Sequence, residues 1–253
     1  MRNYVLAPAF LLACTGSGFA ADALSVEAAP DWNGLYAGIV AGYGVGQSDG
    51  VEYEGAYTPK GRIPGLIEDG VYPKSLAGDL QGLTGGLQLG YNLQHGNFVF
   101  GVETDFMALG LEDDGSFFHP ADEKWNDDDS KASQSIDWLG TARLRLGVSA
   151  GDFLLYGTGG LAYGHTSFDY SVTNLGYVSG GDTEWKLGWA AGGGAEYALD
   201  DRWTIAAEYL YFDLGQSSST DAYEAPYDKV TEERSVEFNG SLFQLGVKHR
   251  FGL

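Results

Sequence analysis

Apolar residues recur at every second position along much of the chain, while the alternate positions hold glycine, hydroxyl, amide and charged side chains. In 35–45 the apolar set is Leu35, Ala37, Ile39, Ala41, Tyr43 and Val45, set against Tyr36, Gly38, Val40, Gly42 and Gly44. A period of two predicts a strand whose two faces meet different surroundings. The same alternation predicts strands over 83–93, 98–106, 136–148, 153–163, 187–199, 203–211 and 241–251, which makes eight. In 153–163 the parity is ambiguous, because Leu154 and Tyr156 compete with Leu155 and Leu161.

Charges keep to one parity. Glu103, Asp105, Arg143, Arg145, Glu196, Glu208, Lys248 and Arg250, together with the neutral amide Gln88, all oppose the apolar set. A soluble sandwich or barrel would bury the apolar set and expose this one; packing these ions into an apolar core would cost several kcal/mol for each unpaired charge. The pattern therefore predicts the inverse arrangement, apolar outside and polar within. Short links at 95–97, 149–152 and 200–202 alternate with long ones near 47–82, 108–135, 165–184 and 213–235. An even number of strands, short turns at one end and long loops at the other are the signature of an outer-membrane barrel. No proline falls in a predicted strand, as a closed sheet without free edges requires. Outward Tyr43, Tyr91, Trp138, Trp185, Trp189, Tyr197, Trp203 and Tyr209 suit the aromatic girdles at the two membrane surfaces. The fold class expected is all-β: an eight-stranded antiparallel transmembrane barrel with short periplasmic turns and four long extracellular loops.

Composition narrows the functional classes. The chain has 253 residues, 44% hydrophobic, 39 of them glycine, and a formal net charge of −21. So acidic a chain is a poor match for nucleic acid, whose phosphates require clustered Lys and Arg. Met1-Arg2-Asn3, an apolar stretch from Tyr4 to Ala13 and the small residues around Gly18-Phe19-Ala20 predict a signal peptide over 1–20. Residues 21–31 are expected to be a periplasmic lead-in and 32–253 the barrel. Cys14, the sole cysteine, precedes the predicted cut, so the mature chain is expected to have no thiol; the alternative is a lipid anchor at Cys14, although Leu12 is bulky for such a motif.

The wording of several segments carries a resemblance. Asp31-Trp32-Asn33-Gly34-Leu35-Tyr36-Ala37-Gly38, Phe98-Val99-Phe100-Gly101-Val102-Glu103, Leu155 to Gly164, Ala207 to Gly215 and Lys248-His249-Arg250-Phe251 resemble the small outer-membrane β-barrel porin-family proteins, the major surface antigens of alphaproteobacteria. The likeness covers nearly the whole mature chain. It implies residence in the outer membrane, contact with lipid and lipopolysaccharide, loops met by a host or environmental ligand, and no enzymatic chemistry. It also implies that Phe251 is the aromatic signal read by the barrel-assembly machinery, although Gly252 and Leu253 follow it and His249 stands where another residue is expected.

The inward charges are five acids (Glu103, Asp105, Asp137, Glu196, Glu208) and five bases (Arg143, Arg145, Lys186, Lys248, Arg250). Cross-strand ion pairs are expected, with Glu103 and Asp105 beside Arg143 and Arg145. The interior of an eight-stranded barrel is just wide enough for side chains to fill, so a packed polar plug is expected, with a narrow solute path as its alternative. The four loops together hold 23 acids against 7 bases, a net of −16. Asp127, Asp128 and Asp129 offer oxygen ligands to a divalent cation, but the segment lacks the spacing of a calcium loop, and a solvated acidic surface is the plainer reading. His165 and Ser167 share a strand face at the outer rim, yet the sequence supplies no orienting carboxylate, and no catalytic residue or cofactor is assigned. The function expected is a structural surface protein (adhesion, antigen or envelope integrity), with porin-like diffusion as the alternative and haem or other ligand binding through the loops third.

Overall fold

The computed structural model describes residues 30–47, 51–57, 75–76, 79–117, 130–172, 178–225 and 228–251. Ten strands are present among them: β1 (Gly34–Gln47), β2 (Val51–Tyr57), β3 (Ser75–Leu76), β4 (Asp79–His95), β5 (Phe98–Phe117), β6 (Ser130–Ala150), β7 (Phe153–Val172), β8 (Val178–Ala198), β9 (Trp203–Ala225) and β10 (Asp228–Phe251). Eight of them, β1 and β4 to β10, follow one another antiparallel around a ring that closes where β10 pairs with β1, from Leu35 with Phe251 to Gln47 with Asn239. Closure satisfies every strand edge within the hydrocarbon, where no water is available to pair a free N–H or C=O. β2 extends the outer part of β10, with Glu52 opposite Ser235, and β3 pairs with β2.

The turns at the periplasmic end are tight. Gly96 (φ 61°) and Gly151 (φ 59°) take the left-handed conformation in two of them. In the third, Asp200 Oδ1 accepts hydrogen bonds from the backbone N–H of Arg202 and of Trp203, both at 2.7 Å.

At the other end the structure corrects the expected long loops. β7 and β8 run on to Val172 and from Val178, and β9 and β10 continue to Ala225 and from Asp228, so much of those segments is paired strand. Antiparallel backbone pairing persists there without an apolar face to mark it in the sequence.

The outward face is apolar throughout the middle of the wall: Leu83, Leu87, Leu144, Leu161, Leu187 and Leu245 are all exposed. The ambiguous strand resolves with Leu155 and Leu161 outward and Leu154 and Tyr156 buried inside. One parity expectation fails. A β-bulge between Ile136 and Trp138 in the β6–β7 pairing turns Ile136 into the lumen, where it is fully buried, and leaves Asp137 half-exposed rather than inward.

Candidate functional site

The interior is layered. At the periplasmic mouth Trp32, Val99, Leu154 and Ala198 pack together, and the backbone N–H of Trp32 donates to Gln94 Oε1 at 2.8 Å. Toward the outer end Leu80, Met107, Leu111, Ile136, Leu139, Leu210, Phe212, Phe238 and Leu242 form an apolar core inside the barrel. This corrects the expectation of a polar axis from end to end. The signal is present in the sequence: the inward parity that carries Glu103 and Asp105 continues as Met107, Leu109 and Leu111.

Between the two apolar layers lies the ionic cluster. Glu103 and Arg143 are direct cross-strand partners on β5 and β6. Arg143 Nη2 donates to Glu103 Oε1 at 2.9 Å and to Asp105 Oδ2 at 2.6 Å, and its Nη1 reaches Glu208 Oε1 on β9 at 2.9 Å. Thr141 Oγ1 donates to Asp105 Oδ2 at 2.7 Å. Arg145 joins Glu196 on β8 and donates to the Tyr36 hydroxyl at 2.6 Å. Lys248 on β10 donates to Glu103 Oε2 at 3.0 Å and to Glu196 Oε1 at 2.8 Å. The side chains of Glu103, Asp105 and Arg143 have no exposed surface.

Two tyrosines that charge parity alone does not single out complete the cluster. Tyr36 donates to Glu103 Oε2 at 2.7 Å and Tyr156 to Glu208 Oε2 at 2.8 Å, and the Arg145 guanidinium lies 3.9 Å from the centre of the Tyr156 ring. The signal available was their place on the inward face, followed along the same face by small residues: Gly38 after Tyr36, and Thr158 and Gly160 after Tyr156. Arg250, by contrast, stands apart at the mouth: it donates to the backbone oxygens of Asp31 (2.8 Å) and Asp200 (2.9 Å) and lies over the Trp32 ring. Lys186 is also separate, paired with Glu184 at 2.9 Å. Phe251 ends β10 with its ring outward, edge-on to His249.

Chemically, the charges of this cluster compensate one another, while Asp105 Oδ1 and the Nε atoms of Arg143 and Arg145 are buried without a hydrogen-bond partner. Each cation faces carboxylates, and each carboxylate accepts from arginine, lysine, tyrosine or threonine, which is the condition under which buried charges persist. No group of three or more His, Cys, Asp or Glu placed to hold a metal occurs among the described residues. Asp127, Asp128 and Asp129, and likewise residues 1–29, lie outside the described residues.

Comparison with known proteins adds three findings. The outer membrane protein beta-barrel domain family matches residues 10–251. The 31 kDa outer-membrane immunogenic protein of Brucella melitensis is 35% identical over 270 residues, spanning 99% of this chain and 100% of that protein, and the 22 kDa outer membrane protein of Rhizobium leguminosarum bv. viciae is 31% identical over 172 residues, 66% of each. Among solved structures, the outer membrane protease OmpT of Escherichia coli superposes with a TM-score of 0.50 at 11% identity, covering 86% of this chain and 96% of that one, a likeness of fold alone.

Proposed function

The chain belongs to the outer membrane protein beta-barrel domain family and sits in the outer membrane, and on that premise we propose that it is a sealed, non-enzymatic surface protein that holds acidic segments outside the cell for recognition. The observation that carries this reading is the desolvated ionic cluster closing the lumen between two apolar layers. A diffusion pore requires a continuous wet path, and side chains fill the axis at three successive levels. With passage closed, the outer segments are what remains to act on the surroundings. Their excess of acids keeps them solvated and mutually repelling. The Brucella relative is named for its immunogenicity, which accords with display at the cell surface.

The test has two arms. Antibodies against 108–135 and 213–235 are expected to bind intact cells, and liposomes holding the refolded barrel are expected to take up arabinose no faster than empty ones. Failure of antibodies to reach intact cells, or rapid sugar uptake, would overturn the proposal.

A further inference from the structure

We propose that the outward rim formed by β6, β7 and β8 is a binding site for the sugar headgroup of the outer-leaflet glycolipid. Three rows of side chains stand there in register. Ser135, Ser167 and Thr183 make the upper row, since Ser167 pairs across with both of the others. Trp138, His165 and Trp185 make the middle row, and Tyr163 with Leu187 begins the apolar wall below.

The bulge gives this patch its chemistry. Strict alternation would point Asp137 into the barrel; the extra residue turns it toward His165, whose Nδ1 lies 3.3 Å from Asp137 Oδ2. Bulges re-aim side chains beside functional sites, and departures from a local pattern concentrate there. Ser135 Oγ donates to the other oxygen, Asp137 Oδ1, at 3.2 Å, and Ser167 Oγ lies 3.4 Å from Thr183 Oγ1. A carboxylate only accepts, so His165 Nδ1 is the donor in this contact, and Nε2 is left for a ligand. Trp185 stands edge-on to the imidazole and is 63% exposed.

On its inner side the bulge buries Ile136; on its outer side it leaves an exposed pair that adds little stability of its own and is available for recognition. The patch offers an indole face for the C–H side of a pyranose, together with hydroxyl, carboxylate and imidazole groups for its hydroxyls. It faces sideways at the upper edge of the apolar band, where aromatic belts meet headgroups, so the sugar it meets is one anchored in the leaflet rather than a free saccharide.

Native mass spectrometry of the refolded barrel, titrated with lipopolysaccharide or with phosphatidylethanolamine, tests this. The unmodified protein is expected to retain lipopolysaccharide in preference. Trp185→Leu and His165→Ala, with heat-modifiable gel migration intact, are expected to lower that retention at least about fivefold, the scale of one lost hydrogen bond or ring contact. Trp203→Leu at the opposite girdle is expected to leave it unchanged. Deacylated oligosaccharide is expected to compete only in large excess. Should the variants fail to fold, the His165 imidazole resonance of the unmodified protein is expected to move with lipopolysaccharide and not with phosphatidylethanolamine. Equal retention of both lipids, folded variants that bind as the parent does, an unmoved resonance, or free oligosaccharide binding as tightly as the intact glycolipid would each overturn the assignment.

Discussion

Lys248 Nζ lies 3.0 Å from Glu103 Oε2 across the barrel axis, although β1 and β4 separate their strands in the sheet. The contact exists only in the closed barrel, and the same ammonium also holds Glu196 at 2.8 Å. Removing it leaves two buried carboxylates short of a cation. Lys248→Met is therefore expected to destabilise the barrel by about 3 kcal/mol, toward the lower end for a broken buried pair because Arg143 and Arg145 remain beside Glu103. Urea unfolding in lipid vesicles measures it.

Inward and outward glycines of one strand are expected to respond oppositely. A Cβ on Gly160 would meet the Ala142 carbonyl oxygen at 2.1 Å, whereas on Gly159 the nearest atom is the Ala190 oxygen at 3.8 Å. Gly160→Ala forces backbone apart and is expected to impair folding. Gly159→Ala is expected to stabilise by about 0.5 kcal/mol, since it removes only the entropic penalty of glycine in a strand. The yield of heat-modifiable folded protein and the urea midpoint distinguish the two.

The strands and the face each turns to lipid are legible in the sequence because the alternation repeats wherever one face meets hydrocarbon. Beyond the membrane that constraint lapses, so the outer parts of β7 to β10, held by backbone pairing in acid-, serine- and glycine-rich sequence, look like loop. Ile136 and Asp137 misread for another reason: a bulge shifts parity by one with no glycine or proline among residues 135–138 to announce it. Within the lumen, strand order suffices to place Glu103 beside Arg143, but the reach of Lys248 and of Arg143 to Glu208 depends on how the ring closes. The apolar outer layer is written plainly in Met107, Leu109 and Leu111, which continue the inward parity of Glu103 and Asp105.

That layer sets a further expectation. Leu139 is fully buried among apolar neighbours, so Leu139→Lys places an unpaired ammonium in an apolar interior and is expected to destabilise by about 3 kcal/mol or more. A water-filled lumen would tolerate the change, and urea unfolding separates the two outcomes.

The Asp200 turn is expected to respond to pH. N–H groups of Arg202 and then of Trp203 hold its carboxyl below the usual aspartate range. A carboxyl depressed in the folded state contributes stability above its unfolded value, about 3.9, and loses it as pH falls through the folded value. The stability difference between the parent and Asp200→Asn is thus expected to be full at neutral pH and to vanish progressively in acid, as followed by urea midpoints across that range.

The most direct measurement of the sealed lumen is single-molecule conductance of the refolded barrel in a planar bilayer. With Glu103, Asp105, Arg143, Glu196, Glu208 and Lys248 locked together between two apolar layers, the membrane is expected to stay at its baseline, with no steady current step at any modest voltage. A stable, ohmic channel present in every inserted molecule would contradict the account.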